Sequence, residues 1–453
     1  MTNISEMDDL GQGEIMSNNF RTLEDLKKHC EQENAIIGFS QHTDVYRNAH
    51  MVNGFHVNNS IAILPMEGCD STPEGSPGEL TKKRYLSFAE GGAGLIWFEA
   101  CAVAEQGRAS KQQLFIHQSN LDEYKRMTDE IKESSLKKNG YTPLMIMQLT
   151  HSGRYSKPQG VPSPVLAAHN PILDEKYNIS PDHKLISDAE LKELEDQFAE
   201  AARLAERAGF DGVDIKASHG YLLSELLSSF TRDSEYGGDY NGRTRFIKNA
   251  VKKIKQAVGS QMVLGSRFGI YDAIADPLGF GTDPHTGLPD LKEPAKLLNE
   301  LYEMGVHICA VTMGNPYFNP HVGRPFDSGA YVPPESPVKG VERLVTLAGS
   351  IKRMVPGMLF IGAGYSWLRE FAVEAGAYTL ENQLADFVGF GRQAFAFPAF
   401  SNEILQKGCI ARQNTCMTCS KCSELMRSML PAGCVIREKA VYAPLYQKHI
   451  KTH

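Results

Sequence analysis

A (β/α)8 barrel followed by a cysteine-rich segment is the architecture this sequence predicts, and three observations predict it. Eight short apolar runs recur along the chain, each followed by a helix-like stretch. No Gly-x-Gly-x-x-Gly follows any of these runs, which counts against a dinucleotide-binding doubly wound sheet, the competing arrangement. Four cysteines bunch near the C-terminal end.

A chain of 453 residues can bury a large core, and one barrel with insertions fits that length. At 42% hydrophobic and 22% charged residues, the composition is that of a soluble globular protein. The net charge of −7 argues against nucleic acid or an anionic membrane as partner. There is no apolar run near the length of a membrane span. The N-terminal stretch MTNISEMDDLGQGEIMSNN is acidic and polar, without the apolar core of a signal peptide, so the expected location is cytoplasmic.

The runs are IAILPM (61–66), GLIWFEA (94–100), PLMIMQLTH (143–151), GVDIKAS (212–218), MVLGSRF (262–268), VHICAVTM (306–313), MLFIGAG (358–364) and ADFVGFGR (385–392). Strands that are apolar throughout suit a parallel sheet covered on both faces. Between them, Asp188 to Ala208 has helical periodicity, with Ser187 or Asp188 as N-cap and Gly209 as stop. Arg245 to Ala257 has it too. The expected organisation is an extension over 1–40, with a short charged helix from Arg21 to Glu33, a barrel over 41–405 and a cysteine tail over 406–453.

Barrel chemistry sits at the C-terminal strand ends, so the residues closing each run are the ones to read. The third run ends in a dense polar cluster, Gln148-Leu-Thr-His151-Ser-Gly-Arg154-Tyr155. Gln148 can pair with the pyrimidine edge of a flavin or bond to backbone inside the barrel. Tyr155 is a phenol able to protonate a carbanion, or a rim tyrosine. Arg267, on the fifth run, needs an anion: a reduced flavin, or a structural carboxylate. The last two runs end in Gly362-Ala-Gly364 and Gly389-Phe-Gly391-Arg392, where backbone N–H groups and a guanidinium suit a phosphate. His321, in the loop after the sixth run, is a second acid or a solvated surface histidine.

The four bunched cysteines are Cys416, Cys419, Cys422 and Cys434, three of them within seven residues and the fourth well downstream. Zinc more often takes two separate Cys-x-x-Cys pairs, so the spacing favours a [4Fe–4S] cluster over zinc. The scattered Cys30, Cys69, Cys101, Cys309 and Cys409 read as small buried hydrophobes.

From about Asp44 to Cys434 the chain resembles the Old Yellow Enzyme superfamily, in particular the branch with bacterial 2,4-dienoyl-CoA reductase and trimethylamine dehydrogenase. The carrying pieces are ILPMEG, QLTHSGRYS, HGYLLSELLSSFTRDSEYGGDYNGRTRF, the Arg267 strand, FVGFGR and the terminal cysteines. The resemblance implies FMN contacts at Pro65, Met66, Glu67, Ala100, Gln148, Arg267, Gly364, Gly391 and Arg392. It implies proton donation by Tyr155, with His321 of an H-x-x-R loop assisting, and cluster ligation by Cys416, Cys419, Cys422 and Cys434. Glu67 departs from the threonine many members carry there, and the two-residue gap before Cys422 is closer to the amine dehydrogenase pattern.

The expected function is therefore reduction of the C=C bond of an α,β-unsaturated carbonyl, whether enone, enoate or enoyl-CoA. Members of the branch continue into FAD- and NAD(P)H-binding domains that this sequence does not show, so the expected electron source is a separate flavoprotein or ferredoxin. The alternatives are an amine or C–H dehydrogenase passing electrons outward, an electron-transfer subunit, and a zinc-bound tail.

Overall fold

The computed structural model describes residues 19–327, 329 and 331–450. All eight runs form strands. They are β3 (Ile61–Ile63), β4 (Leu95–Ala102), β5 (Leu144–Thr150), β6 (Gly212–Ile215), β7 (Val263–Gly269), β8 (Ile308–Thr312), β9 (Leu359–Gly362) and β10 (Phe387–Phe390). Every neighbouring pair is parallel, and β10 closes on β3. The strands could be recognised because both of their faces are buried: helices cover the outside and other strands fill the inside.

Alternation sorts each strand's side chains between two cores. Leu95 and Trp97 join Leu144, Ile146, Val263, Ile308, Ile361 and Phe387 inside the barrel. Ile96 and Phe98 join the outer core beneath the helices. The same alternation places Gln148 of β5, Asp214 and Lys216 of β6, and Arg267 of β7 on the inner side. They lie toward the C-terminal ends, where the apolar filling stops.

A hairpin outside the eight runs closes the other end. Strands β1 (His50–Val52) and β2 (Phe55–Val57) pair antiparallel across Asn53-Gly54, and Val52 and Val57 complete the inner core. Both turn residues have positive φ, +46° and +83°, which an Asn-Gly pair tolerates. The sequence analysis did not anticipate this hairpin, although an Asn-Gly pair can signal one.

The helix Asp188–Arg207 starts at Ser187, whose hydroxyl accepts from the Glu190 amide while the Glu190 carboxylate accepts from the Ser187 amide. Its apolar face meets the helix Tyr240–Val258, with the Phe198 and Phe246 rings edge-on at 5.7 Å. That second helix begins five residues earlier than its periodicity suggests, because Asp239 caps it. The N-terminal helix, Leu23–Gln32, sends Leu26 and Cys30 into the outer core. Cys69, Cys101 and Cys309 are also buried, but Cys409 is exposed, because it follows the left-handed Gly408 that ends a surface helix. No helix among the described residues is long and apolar enough to cross a membrane.

The tail builds a small core of its own from Leu425, Ala432, Val435, Tyr442 and Tyr446. It docks on the mouth of the barrel: the Ala432 amide donates to the Gly68 carbonyl at 2.7 Å, and the Cys416 amide to Gln393 Oε1 at 2.8 Å.

Candidate active site at the barrel mouth

Asp214 organises the inner polar layer. Its carboxylate accepts from Trp97 Nε1 at 2.8 Å, Gln148 Nε2 at 2.6 Å and the Arg267 amide at 2.6 Å. Burial pushes its carboxyl above the usual range while these three donors pull it down. The Gln148 amide is therefore oriented by a carboxylate, not by backbone. Arg267 is buried, and its Nε and Nη1 have no partner. Burial draws its guanidinium down to about 10 despite the Asp214 charge. A buried guanidinium with two unused donors fits an anionic group lying across the barrel mouth, as FMN would.

Pro65, Met66 and Glu67 form the loop leaving β3, and Met66 packs against Gly391: a Cβ there would stand 3.1 Å from its side chain. Ala100 lies beyond an irregularity in β4 and opposite Gln148. Gly362 ends β9, where a Cβ would meet the Tyr365 hydroxyl at 2.6 Å. Gly364 follows with φ +102°, a conformation that excludes larger residues. These residues lie at or just after the C-terminal ends of β3, β4, β9 and β10.

A solvent-open cavity is walled by Glu67, Tyr155, Tyr177, Tyr317 and, from the tail, Met426 and Arg427. Tyr155 reaches it from the turn Gly153–Tyr155, where Gly153 has φ +59° and a Cβ would stand 2.8 Å from the Leu222 amide. Burial pushes the Tyr155 phenol well up, and Asn315 Nδ2 donates to its oxygen at 2.7 Å. The Tyr155 ring stacks on Tyr317 with centroids 4.0 Å apart.

His321 is not brought to Tyr155. Asn315 and Asn319 fold the loop after β8 back on itself, the Asn315 amide donating to Asn319 Oδ1 at 2.6 Å and the Tyr317 amide to Asn315 Oδ1 at 2.9 Å. That turn presents Tyr317 to the cavity. His321 starts the next helical turn and pairs its Nδ1 with the Tyr331 hydroxyl at 2.6 Å. Arg324, its partner in the H-x-x-R loop, reaches the tail and donates to Ser423 Oγ at 2.7 Å.

Several site residues escaped sequence reasoning: Asp214, Lys216, Tyr221, Asn315 and Tyr317. For the first two the signal was present, as two charges on alternate positions of an apolar strand. Lys216 is buried, 3.8 Å from Glu67 Oε1 and 3.7 Å above the Tyr221 ring, and burial lowers its amine to about 8.

Cys416, Cys419, Cys422 and Cys434 all line one small cavity. Thr418 and Ser420 between them take left-handed backbone, φ +50° and +62°, which turns the thiols inward. The Thr418 and Arg437 amides donate to the sulfurs of Cys416 and Cys434 at 3.4 and 3.3 Å. Among the described residues, no three Cys, His, Asp or Glu side chains converge on a single-ion position. A tetrahedral zinc needs its sulfurs about 3.8 Å apart, following from Zn–S bonds of about 2.3 Å. Arg392 lines this cavity, with its Nη1 unpartnered, so the residue read as a phosphate contact stands between the barrel mouth and the cysteines.

The profile of the NADH:flavin oxidoreductase / NADH oxidase family matches residues 51–303. An NADH oxidase of Thermoanaerobacter brockii is 27% identical over 411 residues, covering 87% of this chain and 56% of that protein. The 12-oxophytodienoate reductase 7 of Oryza sativa subsp. japonica is 26% identical over 361 residues, covering 76% of this chain and 83% of the relative. Among solved structures, a 2-naphthoyl-CoA reductase bound to 2-naphthoyl-CoA superposes with a TM-score of 0.68 at 18% identity, covering 87% of this chain and 57% of that one. The chain thus spans little more than half the length of the NADH oxidase and of the naphthoyl-CoA reductase.

Proposed function

The chain belongs to the NADH:flavin oxidoreductase / NADH oxidase family, and we propose that it is an FMN-dependent ene-reductase acting on α,β-unsaturated carbonyl compounds, with a [4Fe–4S] centre held by Cys416, Cys419, Cys422 and Cys434. The single observation that carries the flavin reading is Arg267, a buried cation with two unused donors beneath a tyrosine-walled cavity. FMN bound there would supply hydride to the β-carbon of substrate, and the cysteine-held centre would supply single electrons drawn from a separate flavoprotein or ferredoxin.

The chain's own residues do the rest. Asp214 holds Gln148 in one orientation, and Arg267 offers charge to an anion. Burial keeps the stacked phenols of Tyr155 and Tyr317 protonated, so that a hydroxyl proton is present for the α-carbon. The rice relative, named for a dienone carboxylate, supports the substrate class.

The test is anaerobic: FMN-loaded enzyme, reduced with viologen, is offered a panel of enones, enoates and enoyl-CoA esters. Reoxidation by at least one panel member is the expected result. Flavin bleaching by amines, with no response to the panel, would instead establish a dehydrogenase passing electrons outward. Iron and acid-labile sulfide near four per chain are expected after anaerobic preparation; stoichiometric zinc without sulfide would remove the cluster.

A further inference from the structure

We propose that the cysteine-rich tail presents a basic docking face for a small acidic one-electron carrier protein, framed by Lys421, Arg437 and Lys439 on the outward side of the four-cysteine cavity. The inference rests on the reading of Cys416, Cys419, Cys422 and Cys434 as holders of an electron-transferring centre. It adds where the separate donor lands and what charge it carries.

Charge is divided unevenly along the chain. Residues 406–453 hold eight Lys and Arg against two Asp and Glu, a formal +6, in a chain whose net charge is −7, so residues 1–405 carry −13. The two tail carboxylates are both engaged: Glu438 pairs with Lys83 at 2.6 Å, and Glu424 accepts from the Tyr446 hydroxyl. Two tail cations are answered as well, Lys407 by Glu403 and Arg412 by Glu370. Lys421, Arg437 and Lys439 meet no carboxylate among the described residues. Arg437 Nη2 donates to the Thr415 carbonyl at 3.1 Å, Lys421 Nζ stands 5.7 Å from the centre of the Tyr446 ring, and Lys439 is exposed. Unanswered cations on an otherwise acidic molecule make a local positive field that reaches about a Debye length into solvent.

The cysteine cavity has an inner and an outer side. Cys416 is buried and its amide bonds to Gln393 of the barrel, while Arg392, just past β10, lines the cavity from there. Cys419, Cys422 and Cys434 are half-buried. Lys421 lies in the chain between Ser420 and Cys422, which both line the cavity, and Arg437 lines it together with half-buried Met417 and Ile436. A small apolar surface among cations, beside a shallow redox site, suits a partner of opposite charge that binds briefly. Charge steers the encounter, and the limited apolar contact lets the partner leave. Each encounter takes one electron from the reduced carrier, which departs oxidised. Two encounters supply the electron pair that saturating one C=C bond consumes, with two protons drawn from solvent.

The test compares an acidic plant-type ferredoxin with methyl viologen, a small cation, as reductants of enzyme loaded with FMN and iron–sulfur centre. Calorimetry measures the binding of oxidised ferredoxin, and stopped flow measures reduction. Wild-type affinity for ferredoxin should fall by about tenfold or more from about 10 mM to about 150 mM salt, as the Debye length shrinks from about 30 Å to about 8 Å. Lys421→Glu combined with Lys439→Glu should weaken ferredoxin binding and slow its electron transfer by about tenfold or more at low salt, while viologen reduces this variant at least as fast as wild type. Both lysines open helices, Lys421–Arg427 and Lys439–His449, where an acidic residue is tolerated; iron, FMN and melting temperature check that the variant is intact. Lys137→Glu combined with Lys138→Glu makes the same change in net charge at the exposed end of the helix Leu121–Asn139, which precedes β5 and so lies away from the mouth. That pair should leave binding within about twofold. A tail variant that binds ferredoxin as wild type does, equal losses in both pairs, or wild-type enzyme that ignores ferredoxin at low salt would overturn the docking face, while turnover with viologen keeps the ene-reductase reading. Enzyme that viologen reduces and no enone reoxidises would remove that reading and leave the docking face to stand on the binding data.

Discussion

Arg154 and Arg267 stand at the same barrel mouth, both buried, and their surroundings differ in one respect. Arg154 is fully answered: its Nε donates to Glu225 Oε1 at 2.8 Å, its Nη2 to the Ala168 carbonyl at 3.0 Å, and its Nη1 pairs with Asp174. Arg267 has a carboxylate nearby, but Asp214 spends its hydrogen bonds on Trp97, Gln148 and the Arg267 backbone, leaving the Arg267 Nε and Nη1 bare. A satisfied buried arginine ties the scaffold together. An unsatisfied one is costly in the empty protein, by about 1–3 kcal/mol per lost partner, and is explained by something that binds. The two residues look equally promising in the sequence, each polar at the end of an apolar strand, and only the partner inventory separates them.

The strongest way to break this contrast is Arg154→Met. It leaves Asp174 and Glu225 buried without their cation, and urea unfolding should show a loss of about 3–5 kcal/mol. A change below about 1 kcal/mol would mean that Arg154 is not structural.

Acid probes the same side of the mouth. His151 is buried beside Arg154's turn, and its Nδ1 accepts from the Gly153 amide at 3.1 Å. Burial lowers its imidazole to about 4, below the ordinary 6.5. The unfolded chain therefore binds this proton first, and stability falls as pH drops from 6.5 toward 4. The upper bound is about 3.5 kcal/mol at about 1.4 kcal/mol per pKa unit. His151→Asn should flatten that part of the pH–stability curve, and an unchanged curve would show that the acid sensitivity lies elsewhere.

Arg267→Met sharpens the other side. Apoprotein stability should not fall and should rise by about 1 kcal/mol or more, because the bare donors are removed while Asp214 keeps its three donors. FMN affinity, read by quenching of flavin fluorescence, should fall by about 10- to 100-fold, the worth of charge-assisted hydrogen bonds at about 1.5–3 kcal/mol. A variant that loses stability while binding FMN normally would place Arg267 in the scaffold beside Arg154.

Local patterns made much of this molecule legible. Strands buried on both faces read as apolar runs, the Ser187 cap lies within three residues of its partner Glu190, and three of the four cysteines are neighbours in the chain. The hairpin at Asn53-Gly54 was not read from the sequence, because its strands are only three residues long and do not show as runs. What stayed hidden depended on distance in sequence. Tyr317 and His321 sit four residues apart in one polar loop, and their order along the chain says nothing about which one the asparagine turn aims at Tyr155. Arg392 follows the last strand where a phosphate contact belongs, and the docked tail brings the cysteines to it.

By itself, then, the sequence determined the barrel, the positions of its strand ends and the cysteine spacing, because periodicity, capping and close spacing are properties of neighbouring residues. The tertiary structure alone decided which buried charges are answered, which phenol faces the cavity, and where the tail meets the mouth. Those outcomes depend on partners such as Glu67 and Tyr221, 154 residues apart, which meet only when the barrel closes.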